Sequence, residues 1–184
     1  NDSALNVVFS ELRVMNMLNT KYLIVPAGEE GRTLIPLKNP QANGHAWFVS
    51  SLKVVQSADS EIVGLKRIDT KTQAIVNQKF KEKAGFKEAY TANGKIQLLS
   101  YKPNELEYSS ETSEPQFAVF SEIYYEQGWN VYVDGTLMPH LQVNYVLRGM
   151  EVPAGKHRLV FKFEPKTYYT ANGIAMAGRF SSLR

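Results

Sequence analysis

The chain has 184 residues, enough to bury a substantial core, and its 43% hydrophobic and 21% charged residues are typical of a globular protein. Because cysteine is absent, disulfides, thiol nucleophiles and thiolate metal sites are excluded. A formal charge of +3 without a dense basic stripe argues against a nucleic-acid partner. No apolar run reaches the ~18–20 residues of a membrane span. The chain begins with Asn1 and has no visible signal peptide, so we expect a piece of a longer protein.

The first half of the chain predicts a mixture of helices and strands. Asp2 or Ser3 can cap a helix over residues 3–18, whose broad apolar face predicts burial on more than one side. A short buried strand is predicted at 21–25, ended by Pro26, and a return strand at 33–37. Further strands are predicted at 46–55 and 73–76, separated by a short helix that Ser57 or Asp59 caps. The lysine-rich residues 76–90 predict an exposed strand or loop.

From residue 93 the pattern changes to short strands separated by turn residues. Six strands are predicted, at 95–102, 105–109, 116–122, 129–133, 143–147 and 158–163. Asp134-Gly135 suits a two-residue turn that needs positive φ. Residues 117–120 are apolar on both faces and predict a central strand, whereas residues 158–163 alternate and predict one face in water. We therefore predict an α+β fold: residues 1–92 form an N-terminal helix with a small mixed α/β portion, and residues 93–166 an antiparallel, jelly-roll-like β-sandwich. Packing of the two portions as one domain is compatible with this division.

The usual catalytic and metal-binding patterns are weak in this sequence. The three histidines are far apart, and no phosphate-binding glycine loop or nucleophile elbow occurs, so we expect no metal and no cofactor. A glycoside hydrolase would need two carboxylates lining a cleft. The pairs Glu105 with Glu107 and Glu122 with Glu126 could supply them, although exposed strands carry glutamate routinely.

Aromatic and amide side chains give the strongest functional signal. Tyr and Trp stack on the flat faces of sugars, while Asn and Asp bind their hydroxyls. The candidate glycan-binding residues are Trp129, Tyr124, Tyr125, Tyr132, Asn130, Asp134 and Asn144. Strand alternation places Trp129 with Val131 and Val133, which predicts a core position for Trp129. It places Tyr132 with Asn130 and Asp134, which makes Tyr132 the better exposed candidate.

A series of short motifs occurs in a fixed order along residues 10–170. They are Leu18-Asn-Thr-Lys-Tyr-Leu-Ile24, Gly44-His-Ala-Trp-Phe-Val49, Tyr101-Lys-Pro-Asn104, Ser121-Glu-Ile-Tyr-Tyr125 with Gly128-Trp129, Val133-Asp-Gly135, Asn144-Tyr-Val-Leu-Arg-Gly149 and Val152-Pro-Ala-Gly-Lys-His157. This series resembles the C-terminal soluble region of the YfhO family of bacterial polytopic membrane proteins.

The resemblance implies a membrane glycosyltransferase that uses lipid-linked sugars to modify envelope polymers. This piece would be a non-catalytic accessory domain at the extracytoplasmic face of the cytoplasmic membrane, beside the membrane helices of its parent and in contact with envelope glycan. Residues 167–184 would lead toward a further membrane span. The implied catalytic acids lie in a loop that this chain lacks, so no catalytic residue carries over. The alternatives are a purely structural or protein-interaction scaffold and a free-standing glycoside hydrolase.

Overall fold

The computed structural model describes residues 11–27, 33–84 and 86–165, and most of this part is antiparallel β-sheet. Its helices are α1 (Arg13–Met17), α2 (Ala58–Leu65) and α3 (Gln78–Ala84). Its strands are β1 (Tyr22–Ala27), β2 (Thr33–Lys38), β3 (Ala46–Val49), β4 (Ser51–Val55), β5 (Gln73–Asn77), β6 (Lys95–Lys102), β7 (Glu105–Thr112), β8 (Gln116–Ile123), β9 (Trp129–Val133), β10 (Thr136–Met138), β11 (Leu141–Val143), β12 (Leu147–Val152) and β13 (Gly155–Phe163). The predicted tail, residues 167–184, and the first part of the predicted N-terminal helix lie outside the described residues.

The chain enters the described part through α1 and a β-hairpin. Helix α1 confirms the last turn of the predicted helix, but the predicted burial on several sides is wrong there, because Val14, Met15 and Leu18 are exposed. Strands β1 and β2 pair antiparallel, which confirms the return strand. The predicted burial of the first strand is also wrong, since it alternates between exposed and half-buried residues and runs through Pro26.

The predicted strand at 46–55 is two strands that belong to different sheets. Strand β3 pairs antiparallel with β8, whereas β4 pairs parallel with β5. Between them, the Ser50 amide donates to the Thr72 carbonyl oxygen at 2.7 Å. Helix α2 connects β4 to β5, and its predicted cap is confirmed because the Ser57 hydroxyl accepts from the Ser60 amide at 3.2 Å. Trp47 and Phe48 lie on opposite faces of β3, as predicted, in two different core clusters.

Residues 87–89 are exposed and lie outside the named helices and strands, as the prediction allowed, but residues 76–84 do not form the predicted exposed strand or loop. They contain the end of β5 and helix α3, and Phe80 of that helix is only 6% exposed. The Phe80 ring packs edge-on against the Tyr124 ring at a centroid distance of 5.7 Å. The burial of the Phe80 ring therefore holds helix α3 against the core, although the lysines around Phe80 in the sequence suggested a solvated surface.

The two larger sheets have the strand orders β10-β9-β13-β7-β6 and β11-β12-β8-β3. Strand β8 is a central strand, as predicted, and Asp134 and Gly135 form the predicted turn with φ values of 49° and 86°. The predicted strand at 143–147 is wrong: β11 ends at Val143 and β12 begins at Leu147. Asn144 and Tyr145 between them have positive φ values of 50° and 71°, which makes this segment a turn.

Strand β8 separates two hydrophobic clusters. Phe117 and Val119 contribute to a cluster that includes residues of α1, α2, β4 and β5. Ala118 and Phe120 contribute to a second cluster, which is shared by the five-stranded and four-stranded sheets. The inner face of the five-stranded sheet is thus covered, and its other face is left for contacts outside the core.

Candidate functional site

The outer face of the five-stranded sheet carries polar side chains in register. Tyr132 of β9 lies opposite Val160 of β13, which lies opposite Glu107 of β7. Leu159 and Phe161, which alternate with these residues on β13, are buried in the core. The side chains of Tyr132 and its row therefore point away from the core, as strand alternation predicted.

Tyr132 and Asn130 are joined by one carboxylate. The Tyr132 hydroxyl and the Asn130 amide donate to Glu164 Oε2, at 2.8 Å and 2.9 Å. Both hydrogen bonds lower the pKa of Glu164, and the bond from Asn130 has the larger effect. The Lys162 ammonium lies 5.6 Å from the centre of the Tyr132 ring. Tyr132 is half-buried, so it offers part of a ring face with a fixed polar edge.

Asp134, in the turn after β9, extends this face toward β13. Its Oδ1 accepts from the Arg158 backbone amide at 2.9 Å, and its Oδ2 lies 2.6 Å from His157 Nδ1. The contact with His157 lowers the pKa of Asp134 and raises the pKa of His157, because each charged form stabilises the other. Asp134 is thereby held as a carboxylate in a fixed orientation.

An open depression of about 560 Å³ lies beside Asp134. Arg158, Ser109 and Gln97 form one cross-strand row through it. Its lining residues are Lys95, Gln97, Ser109, Ser110, Glu111, Asp134, Lys156, His157 and Arg158. Hydroxyl, amide and charged groups of both signs therefore surround it, which suits a polar ligand with many hydroxyl groups.

Ion pairs fix the charged side chains around this depression. Arg158 binds Glu107 through two bonds, Nε to Oε1 at 2.5 Å and Nη2 to Oε2 at 2.8 Å, and this contact lowers the pKa of Glu107. Lys156 Nζ lies 3.2 Å from Glu111 Oε1. Glu105 and Glu107 share the outer face, as predicted, and Glu105 pairs with Lys102 at 3.2 Å. A carboxyl with a lowered pKa is poorly suited to donate a proton at neutral pH.

Trp129 lies on the inner face and not beside Tyr132. It is half-buried against the second cluster, and the Arg148 guanidinium carbon lies 4.1 Å from its ring centre. Arg148 is 2% exposed and donates from Nε to the Ile123 carbonyl oxygen at 3.0 Å. Its Nη1 has no partner within the described part of the chain, and burial lowers its pKa to about 10. Burial also raises the pKa of the nearby Glu122.

The remaining predicted residues are distributed over other surfaces and the core. Tyr124 packs between the rings of Phe80 and His140, and Tyr125 is 49% exposed beside Phe163. Asn144 is 0% exposed: its side-chain Oδ1 accepts from the Ile75 backbone amide, and its backbone amide donates to the Ile75 carbonyl oxygen, both at 2.8 Å. Asn144 thus joins β5 to the turn between β11 and β12 and has no surface to offer a ligand in this conformation.

Of the seven predicted residues, the fold brings Asn130, Tyr132 and Asp134 to one face. Sequence reasoning did not assign Glu164, Gln97 or Ser109 to this face. The alternation of residues 158–163 did place Arg158 in water, but no local signal could show which strands lie beside it. Cross-strand register is therefore the missing information.

Metal ligands and membrane spans were sought in the part of the chain that the structure describes. No group of three or more His, Cys, Asp or Glu side chains there could hold a metal ion. No helix within residues 11–27, 33–84 and 86–165 is long and apolar enough to cross a membrane.

The fold and this polar face define a mostly antiparallel β-sheet region with a surface suited to contacts with other molecules. The family model described as bacterial membrane protein YfhO matches residues 69–175. This match covers more than half of the chain, which therefore belongs to the YfhO family of bacterial membrane proteins, as its motifs predicted. Neither the curated proteins nor the solved structures give a match to this chain.

Proposed function

We propose that this chain is a non-catalytic accessory domain of a YfhO-family membrane glycosyltransferase that acts on cell-envelope glycopolymers. In this proposal the domain lies at the extracytoplasmic face of the cytoplasmic membrane, beside the membrane helices of its parent. Its two larger sheets form a jelly-roll-like sandwich around their shared core. The outer face of the five-stranded sheet contacts the glycan.

The placement of Tyr132, Asn130 and Asp134 along one outer strand face, with Asp134 lining the polar depression, carries this proposal. Tyr132 offers part of an aromatic face for the C–H groups of a sugar ring. Arg158 and Asp134 are oriented by hydrogen bonds, so they lose little side-chain freedom when a ligand binds. A shallow, open and polar surface is typical of contact with a polymer, since a chain can lie across it without entering a closed cavity.

The test is titration of the 184-residue chain with soluble oligosaccharides of glucose and of N-acetylglucosamine, followed by backbone amide NMR shifts. We expect shifts at residues 130–134 and 158. Tyr132→Ala should weaken binding by roughly tenfold, the size expected for loss of one stacked ring. Tyr22→Ala, at an exposed tyrosine on the β1–β2 hairpin, should bind like the unchanged chain.

Glycan contact on this face is refuted if no oligosaccharide binds or if Tyr132→Ala leaves the affinity unchanged. Shifts that cluster around Tyr125 would instead assign the contact to another surface. A shared loss in both tyrosine variants would indicate a general effect on folding, and thermal unfolding of each variant detects that outcome.

A second candidate function is a scaffold that braces the membrane helices or a partner protein. Exposed apolar side chains on β1 and β2 favour it, because glycan contact does not require them. The free-standing glycoside hydrolase loses one of its two candidate carboxylate pairs, since Glu105 and Glu107 are both held in ion pairs.

A further inference from the structure

The β1–β2 hairpin presents one face made almost wholly of apolar side chains. The register places Ile24 opposite Pro36 and Pro26 opposite Leu34, with Tyr22 next along β1. Ile24 is 70% exposed, Leu34 65% and Tyr22 59%. We call these five residues the hairpin face. A contiguous exposed apolar surface of this kind usually marks a contact with something outside the chain.

The open end of the hairpin is held in a fixed position. The Asn39 backbone amide donates to the Lys21 carbonyl oxygen at 2.8 Å, closing the hairpin. The Asn39 side-chain amide donates to Asn16 Oδ1 and to the Thr20 carbonyl oxygen, both at 2.8 Å. Asn39 is 4% exposed, so these bonds are shielded from water. The hairpin is therefore anchored to the rest of the protein at its open end, and its apolar face is exposed in that fixed position.

The prolines argue against a second copy of the chain as the occupant. Added strands would pair through the backbone edges of β1 or β2. Pro26 and Pro36 have no amide hydrogen, so each edge has lost a donor. The hairpin face itself offers side chains without hydrogen-bonding groups, apart from the Tyr22 hydroxyl. Its chemistry fits hydrocarbon better than the backbone of another strand.

The charges at the anchored end fit a bilayer surface. Lys21 and Lys38 are exposed there, and Lys38 lies opposite Tyr22 in the register. Tyrosine and lysine beside an apolar surface are typical of segments at the boundary between lipid headgroups and acyl chains. Membership in a family of membrane proteins places a bilayer within reach of the parent protein.

We propose that the hairpin face lies on a lipid bilayer, with Ile24 and Leu34 at the level of the first acyl carbons and Lys21 and Lys38 among anionic headgroups. Glu29 and Glu30 lie between the two strands in sequence, and burial of their charges among acyl chains would be costly. The contact is therefore made along the side of the hairpin. It requires no glycan binding by the five-stranded sheet.

A single cysteine can report this contact because the chain has none of its own. Ile24→Cys is labelled with an environment-sensitive fluorophore, and the matched control is Leu137→Cys in β10, a leucine 59% exposed on another sheet. On vesicles of phosphatidylglycerol and phosphatidylcholine, the probe at position 24 should shift to shorter wavelength. The probe at position 137 should stay at its value in water. No shift at 24, or equal shifts at both positions, overturns the proposal.

Substitutions then test the energetics of the same contact. The pair Ile24→Asp with Leu34→Asp should weaken partitioning to the vesicles roughly 100-fold, because two apolar side chains no longer enter the acyl region. Leu137→Asp should change it less than about twofold. The pair Lys21→Glu with Lys38→Glu should weaken binding at least about tenfold on phosphatidylglycerol vesicles and little on pure phosphatidylcholine.

Folding and self-association are followed in parallel. If the aspartate pair lowers the unfolding midpoint strongly, the pair Ile24→Ser with Leu34→Ser replaces it and should still weaken binding. Sedimentation of the unchanged chain should show a monomer. A dimer that the Ile24 and Leu34 variants abolish would assign the hairpin face to a second copy and overturn the bilayer proposal.

Discussion

Asn144 is a buried polar residue whose side chain joins two distant parts of the chain. It lies in the turn between β11 and β12, with φ of 50°. Its backbone amide and side-chain oxygen bind the carbonyl and the amide of Ile75 in β5, 69 residues earlier in the chain. Asn144 therefore supplies β5 with the two hydrogen bonds that a neighbouring strand would give.

Two costs are expected when Asn144 is replaced by alanine. The Ile75 amide, in a residue 1% exposed, loses its acceptor, and an unpaired buried donor costs about 1–3 kcal/mol. Alanine at this positive φ adds about 1 kcal/mol, since it lacks the short polar side chain that allows asparagine to adopt the left-handed region. We therefore expect Asn144→Ala to lower the free energy of unfolding by about 2–4 kcal/mol. Asn144→Gly avoids the second cost and should lose about 1–3 kcal/mol.

Urea unfolding followed by tryptophan fluorescence measures these differences. Trp47 and Trp129 lie in different core clusters, so the two rings together report on both. Asn93→Ala, at an exposed asparagine, is the control and should stay within about 0.5 kcal/mol of the unchanged chain. An Asn144→Ala variant as stable as this control would refute the reasoning. A glycine variant less stable than the alanine variant would refute the backbone part of it.

Three further predictions concern ionisable side chains. The pKa of His157 is raised by Asp134, so its contribution is complete below the unfolded value of 6.5 and is lost as pH rises through the folded pKa. His157→Gln should therefore flatten the fall in urea midpoint as pH rises above 6.5. Burial lowers the pKa of His140 to about 4, so the stability of the fold is not reduced by this residue above pH 6.5 and falls as pH drops from 6.5 toward 4. The NMR signals of His140 should remain those of a neutral ring until about pH 4. Arg148→Met leaves the Ile123 carbonyl oxygen without its donor and removes the contact with the Trp129 ring, so it should cost about 1–3 kcal/mol in urea unfolding, and an unchanged stability would contradict this reasoning.

Features decided by a few neighbouring residues could be predicted from the sequence. Asp134-Gly135 requires positive φ at both positions, and few residue pairs accept that geometry. Ser57 forms its cap with the amide three residues later. The alternation along β13 separates buried Leu159 and Phe161 from exposed Arg158. Each of these signals is complete within one turn or strand.

Features decided by distant partners could not be predicted. The break at Ser50 depends on β8 and β5, which compete for the two halves of one apolar stretch. Helix α3 is favoured by the burial of Phe80, which the surrounding lysines conceal. At the candidate site, alternation separated Trp129 from Tyr132, but Asn144 resembled a surface amide because its partner is far away in sequence.

The change of sheet at Ser50 affects how this protein can open. One extended segment supplies the edge strand beside β8 and, one residue later, the parallel partner of β5. Because the connection is a single residue, β4 cannot leave β5 without pulling β3 away from β8. Amide hydrogens of these two sheets should therefore exchange with solvent in one shared opening event, at a common rate under conditions where opening limits exchange. The single-residue connection at Ser50 thus makes the parallel pair β4–β5 and the four-stranded sheet open as one cooperative unit.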